Sequence, residues 1–167
     1  MKNRRLFILC LLYSGCWWAA CQAPQEPQPF TEKDRAAIVR EVQTMFDNYF
    51  QAIKKNGLTA EFSYLDASDD FFWVPPAYTS ALSYDSVRTI LLENAGAFRH
   101  IDYHWETVRI NPLSPELAAY TGIVSGTLLD TTGTATQLRM TESGVVIRRL
   151  DGWKILCGQS AHLPLPK

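Results

Sequence analysis

The sequence predicts an α+β fold in which a long N-terminal helix and shorter helices pack on a strongly curved antiparallel sheet. Three observations lead there. Apolar residues recur at three- and four-residue spacing early in the folded part, they alternate with period two from His100 onward, and helices precede the strands instead of alternating with them. Helices first and then a meander place the helices on one face of an antiparallel sheet.

The first element follows from local signals. Thr31 with Asp34 three residues later forms a capping box. Ile38, Val42, Met45, Tyr49 and Ile53 make a stripe at helical spacing, widened by Val39, Phe46 and Phe50. Asn56-Gly57 ends the helix, glycine suiting a left-handed cap. Leu58, Phe62 and Leu65 then suggest another helical turn or two. Phe71-Phe72-Trp73-Val74 reads as a strand stopped by Pro75-Pro76, since proline cannot donate to a ladder. Ser83 caps a helix whose apolar positions are Val87, Ile90, Leu91 and Ala95, running towards Phe98. Strands are expected at about 100–110, 117–129, 134–149 and 153–161, broken at Asn111–Pro115, Thr131-Thr132-Gly133 and Asp151-Gly152.

The N-terminus reads as an address, not as fold. MKNRR is a positive n-region and LFILCLLYSG a short apolar core, which together make a secretory signal over residues 1–20. Tyr-Ser-Gly-Cys at Cys16 and Trp-Ala-Ala-Cys at Cys21 both resemble the bacterial lipoprotein box, in which the cysteine is lipidated after cleavage. Each carries an aromatic where that box has Leu, so both stay open. Cys21 is preferred because the stretch to Phe30 is a Pro/Gln-rich tether (residues 21–30). The domain proper is expected at 31–162, with a short tail at 163–167. The expected location is the bacterial cell envelope, exported and held to the lipid bilayer by two or more acyl chains. Of the four cysteines only Cys157 lies in the domain, so no internal disulfide is expected.

Composition excludes some functions. With a formal charge of −1 and basic residues interspersed with acids, nothing points to nucleic acid. No phosphate loop, Ser-His-Asp spacing or Cys/His metal cluster is apparent, so neither a cofactor nor a metal is expected. Cys157 lies about 16 Å along a strand from His162, too far for a thiol–imidazole pair, and reads as a small core residue.

RHIDYHWE, residues 99–106, alternates His, Asp, His and Glu with Ile, Tyr and Trp. His100 and His104 would stand about 13 Å apart on a strand, whereas two nitrogens on one zinc lie only about 4 Å apart. Apolar parity slips between Trp105 and Val108, which predicts a β-bulge near Glu106-Thr107. The aromatic side is therefore expected to face the core and the His/Asp/Glu side the solvent.

This order of elements is similar to the nuclear transport factor 2-like superfamily, which includes SnoaL-like and ketosteroid-isomerase-like domains. The likeness covers about residues 30–162 and is carried by the long helix, the Asp-Asp-aromatic-Pro-Pro segment, the later helix and the ending VVIRRLDGWKIL. It implies a cone-shaped, cystatin-like roll with a pocket at the wide end. The family's catalytic landmarks are mostly missing here. Tyr49 sits where an oxyanion-donating Tyr would fall, but the slot of the general base is Val74. The slot of the acid partner falls near Ser143, Gly144 or Val145, with Glu142 adjacent. A terminal His/Ser pair of related domains is replaced by Gln159 and Ala161, and Gln159 cannot shuttle a proton.

The expected function is therefore binding of a small apolar or aromatic ligand, without a recognisable catalytic set. Tyr49, Trp73, Tyr78, Tyr103, Trp105, Tyr120 and Gln159 are the candidate pocket residues, with Phe72 among the same aromatics. Two alternatives stay open. One is a SnoaL-like enzyme (isomerase, cyclase or hydrolase) using His104, Asp102 or Tyr49. The other is an interaction module, a homodimer through the sheet face. An enzyme would turn titratable groups into the pocket with shifted pKa values.

Overall fold

Residues 30–166 are described by a computed structural model of the chain. The signal, the lipidation candidates Cys16 and Cys21 and nearly all of the tether lie outside the described residues.

Helix α1 spans Glu32–Asn56 and begins as the sequence predicts. Thr31 Oγ1 accepts from the Asp34 N–H, and the Asp34 carboxylate accepts from the Thr31 N–H. Ile38, Val42, Met45, Phe46, Phe50 and Ile53 are its buried face. Gly57 ends it with φ +78°, its N–H reaching Ile53 O at 2.7 Å. A 3-10 helix follows at Leu58–Ser63, then β1 (Phe72–Val74) and α2 (Tyr84–Glu93), capped by Ser83. Helix α2 is shorter than the pattern to Phe98 suggested, because Asn94 closes it by bonding back to Ile90 O through backbone N–H and side-chain amide alike. The meander is β2 (Phe98–Pro112), β3 (Leu117–Asp130), β4 (Ala135–Arg149) and β5 (Gly152–His162). The five-stranded sheet runs β1-β5-β4-β3-β2, with β1 parallel to β5 and the other pairs antiparallel.

Bulges bend this sheet around α1. Between β2 and β3 the register slips at Trp105/Thr107, leaving Glu106 as the extra residue, where the parity of the sequence places it. Besides a slip at Phe98/His100 at the start of β2, another lies between β4 and β5, where Val145 pairs with Cys157 and Val146 with Ile155, so that Leu156 is extra. The sequence reading missed this one, and it matters for the site. Inward residues on β5 are Trp153 and Ile155 before the bulge and Ser160 after it.

The core has two connected parts. One joins Val42, Phe46, Leu65, Phe71, Tyr120, Val146, Trp153 and Ile155, and the other joins Phe50, Ile53, Leu58, Ile101 and Val124. Outside it, Asp66 is only 5 % exposed and accepts from Arg149 Nε and Nη2, both at 2.8 Å, and from Ser68. The Arg149 guanidinium holds the Asp66 carboxyl below its usual range. Asp66→Asn should therefore cost about 2 kcal/mol at pH 7, as expected for hydrogen bonds to a charged partner. A lowered carboxyl pKa stabilises above the ordinary Asp range and loses that effect as pH falls. Urea midpoints should thus separate the native chain from the variant at pH 7 and converge in strong acid; an equal gap at both would count against it.

Candidate functional site

A cavity of about 160 Å³ lies where the two core parts meet, bounded by α1, the 3-10 helix, α2 and the concave side of the sheet. Its apolar wall includes Phe50, Leu65, Phe71, Val87, Val124, Met140 and Ile155. Its polar groups are Tyr49, Glu61, Tyr103, Glu142 and Ser160, with Trp73 at the rim strand β1.

Two tyrosine–glutamate pairs organise it. Tyr49 on α1 donates its hydroxyl to Glu61 Oε2 at 2.9 Å, and Tyr120 on β3 donates to Glu142 Oε1 at 3.0 Å. Burial pushes the Glu61 carboxyl up to about 7, although the Tyr49 bond opposes this. Burial likewise pushes Glu142 up to about 7, with the charge of Glu61 adding to the rise. The hydroxyls of Tyr49, Tyr103 and Tyr120 are driven well above their usual range, first by burial and then by these carboxylates. They stay protonated and act as donors. Near neutral pH two interacting carboxyls of this kind share protons, so that one can receive a proton while the other gives one.

Glycines make room for the rings on the concave side. Tyr103 lies over its cross-strand partner Gly126, where a Cβ would sit 2.4 Å from the ring, and Trp73 lies over Gly158, where it would sit 2.5 Å away. A Cβ at either position would also meet strand backbone, 2.6 Å from Asp102 O at Gly126 and 2.5 Å from Ser143 O at Gly158, so only glycine fits under these rings.

The pocket candidates named from sequence divide three ways. Tyr49, Trp73 and Tyr103 line the cavity. Tyr120 and Trp105 stand behind it, Tyr120 buried and holding Glu142, Trp105 packed against Phe46 and Phe50 with an indole N–H that meets no partner among the described residues. Tyr78 and Gln159 are corrections. Tyr78 is 47 % exposed in the loop after the prolines, and Phe72 faces outward too. Gln159 is exposed because the Leu156 bulge reverses the parity of β5, which brings Ser160 inward in its place.

The alternative catalytic residues of RHIDYHWE are also outside. Asp102 pairs with Lys54 at 2.8 Å and His104 is exposed. Glu106 on the bulge accepts from Arg139 Nε and Nη2, both at 2.8 Å, which pushes its carboxyl down to about 2. Around it the outer face carries polar pairs, Thr121 with Ser143 and Thr127 with Gln137. Cys157 is half-buried on β5 and its thiol is pushed up by burial, which disfavours a nucleophilic thiolate. Among the described residues no group of three His, Cys, Asp or Glu is placed to hold a metal.

Neither Glu61 nor Glu142 is among the pocket candidates expected from sequence, where Glu142 stands only beside the acid-partner slot, although each leaves a trace. Glu61 shares helical spacing with Leu58 and Leu65, and Glu142 shares strand parity with Met140 and Val146. A carboxylate on an apolar stripe is the signal.

No family model matches the chain, and no curated protein matches it either. Solved structures do. A nuclear transport factor 2-like superfamily protein from Salmonella enterica superposes with a TM-score of 0.66 at 13% identity, covering 79% of this chain and 95% of the other. The LinA-type3 hexachlorocyclohexane dehydrochlorinase from Novosphingobium barchaimii LL02 gives 0.63 at 12% identity, covering 81% and 93%. A protein with a cystatin-like fold from Caulobacter vibrioides gives 0.59 at 12% identity, covering 75% and 89%. The fold is thus nuclear transport factor 2-like, an α+β roll of the kind the order of elements predicted.

Proposed function

We propose that this nuclear transport factor 2-like domain is an enzyme of general acid–base type, which takes a small, largely apolar molecule into its cavity and moves a proton on it. One observation carries the reading: Glu61 and Glu142, both pushed to about 7, are turned into one cavity. The ligand expected from sequence still fits the apolar wall. The carboxyl pair is what shifts the reading from holding that ligand to acting on it.

The chemistry follows from the two pairs. The ionised carboxylate of one glutamate removes a proton from carbon, and the protonated partner delivers one to a developing oxyanion or leaving group. Tyr49 and Tyr120 fix the orientation of their carboxyls, and the Tyr103 hydroxyl adds a donor at the same wall. Proton removal with loss of a leaving group is also what the name dehydrochlorinase describes for one neighbour in fold. We place the domain in the bacterial envelope, tethered through Cys21 or Cys16. If two copies pair across the outer face, polar groups would meet there.

The probe for turnover is 5-nitrobenzisoxazole, an aromatic whose single-step ring opening begins with proton removal from carbon. Its rate should rise with pH through about 7, and Glu61→Gln with Glu142→Gln should lower it by about 100-fold or more, as for loss of a positioned base. A rate no higher than that of free acetate, or one that survives both substitutions, would overturn the reading.

A further inference from the structure

We propose that the cavity selects organic ammonium ions, small amines carrying about one ring, over neutral and anionic molecules of the same shape. The inference rests on the part of that reading in which Glu61 and Glu142 are the acidic groups that meet the ligand, and it names the class of molecule they receive.

The first support is charge. Among the described residues that line the cavity none is Lys, Arg or His, while two are glutamates. The basic residues that form ion pairs do so elsewhere, with Lys54 on Asp102, Arg139 on Glu106, Arg148 on Glu41, Arg149 on Asp66 and Lys154 on Asp151. A buried carboxylate is tolerated when a cation pairs with it, and otherwise it keeps its proton. Here the described lining residues supply tyrosine donors and no cation, so the counter-ion arrives with the ligand. An anionic ligand would oppose the ionisation of both carboxyls and find no compensating cation among the described lining residues.

The walls are the second support. Tyr49, Phe50, Phe71, Trp73 and Tyr103 surround the space, and aromatic faces attract an ammonium group through their negative π-surfaces. A neutral ligand would gain the apolar contact but not this attraction.

The third support is an unused polar group. Ser160 lines the cavity at 9 % exposure, and its hydroxyl makes no hydrogen bond to any described residue. That hydroxyl opens onto the cavity and is free to accept an N–H donor from a ligand. The second oxygen of each glutamate, the one not held by tyrosine, is a further acceptor. Size sets the rest. A cavity of about 160 Å³ resembles the engineered pockets of ~150 Å³ that take up benzene, which indicates one ring with a short amine arm.

Binding then has a proton signature. An ammonium ion entering beside a protonated glutamate displaces its proton to solvent, so uptake at pH 6 releases protons. The titratable groups facing the ion are Glu61 and Glu142 with Tyr49 and Tyr103, while Tyr120 and, beyond it, Cys157 lie behind Glu142. Only the glutamates exchange protons in this range.

The test titrates the full-length chain by calorimetry with benzylamine, benzyl alcohol and benzoate, at pH 6 and pH 8 and in buffers of different ionisation heat. Benzylamine should bind about ten-fold or more tighter than benzyl alcohol, as charge-assisted hydrogen bonds outweigh neutral ones. Benzoate should not bind, and benzylamine uptake at pH 6 should release protons. Glu142→Gln should abolish the preference for amine over alcohol while leaving alcohol binding, which also shows that the variant is folded. Ser160→Ala should weaken benzylamine selectively. Equal or tighter binding of the alcohol, binding of benzoate, or no binding of any of the three at millimolar concentration overturns the inference. Proton-transfer activity that depends on both glutamates but comes without amine preference removes this inference alone. Amine preference without activity keeps it and removes the enzymatic reading.

Discussion

Replacing Glu61 and Glu142 together by glutamine should flatten the stability of the protein between pH 5 and pH 8, where the native chain should lose several kcal/mol. Both carboxyls rise from 4.5 to about 7 on folding because burial penalises their charged form. An acid whose folded pKa lies above its unfolded one stabilises fully while it is protonated in both states. That stabilisation is lost as pH climbs from 4.5 towards the folded value and beyond. A rise of this size corresponds to about 3 kcal/mol for each carboxyl. Glutamine keeps the shape and an acceptor for the tyrosine but has no proton to lose. Urea midpoints read at several pH values give the result directly. Parallel profiles for the native chain and the double variant would mean that the carboxyls ionise freely, and the case for a poised acid–base pair would fall with them. The Asp66–Arg149 pair acts in the opposite window, below the ordinary Asp range, so the two effects separate cleanly along the pH axis.

The second large effect is expected at Phe46. Its side chain is fully buried and meets Trp105 edge-on at 5.2 Å and Tyr120 at 4.8 Å. Phe46→Ala removes a ring from a packed core and should cost about 3–5 kcal/mol. The loss should not stop at stability. Tyr120 leans on Phe46 and holds Glu142, so loosening the ring releases the hydroxyl that orients that carboxyl. Phe46→Leu, which refills much of the volume, should cost clearly less. A loss for the alanine variant below about 1 kcal/mol would show that neighbouring rings collapse into the gap, contrary to the rigid packing of protein interiors.

Much of the architecture was legible without coordinates because it depends on local periodicity. The stripe on α1, the capping box at Thr31 and Asp34, the cap at Ser83 and the long strands of the meander are set by neighbours a few residues away. The bulge at Glu106 belongs to the same class, since its apolar parity slips visibly. The bulge at Leu156 does not, because Ile155, Leu156 and Cys157 offer no contrast of polar and apolar from which to read a slip. The family resemblance puts Gln159 at a pocket-facing His position, and that single silent residue is why Gln159 points outward and Ser160 inward instead.

The site was less legible for a related reason. Aromatic residues announce a pocket by composition, and three of those named do line it. Glu142 enters the sequence reading only as a neighbour of the acid-partner slot and Glu61 not at all, since the sequence does not say which carboxylates lose their water. Glu61 comes from a short 3-10 helix and Glu142 from β4, far apart along the chain, and only the curvature of the sheet around α1 brings them to one cavity. Sequence alone therefore determined the order of elements, the faces they bury and the aromatic character of the interior, because these depend on spacing. Tertiary structure decided which polar groups share that interior, because burial of a carboxyl, and the shift in its chemistry, is a property of everything folded around it.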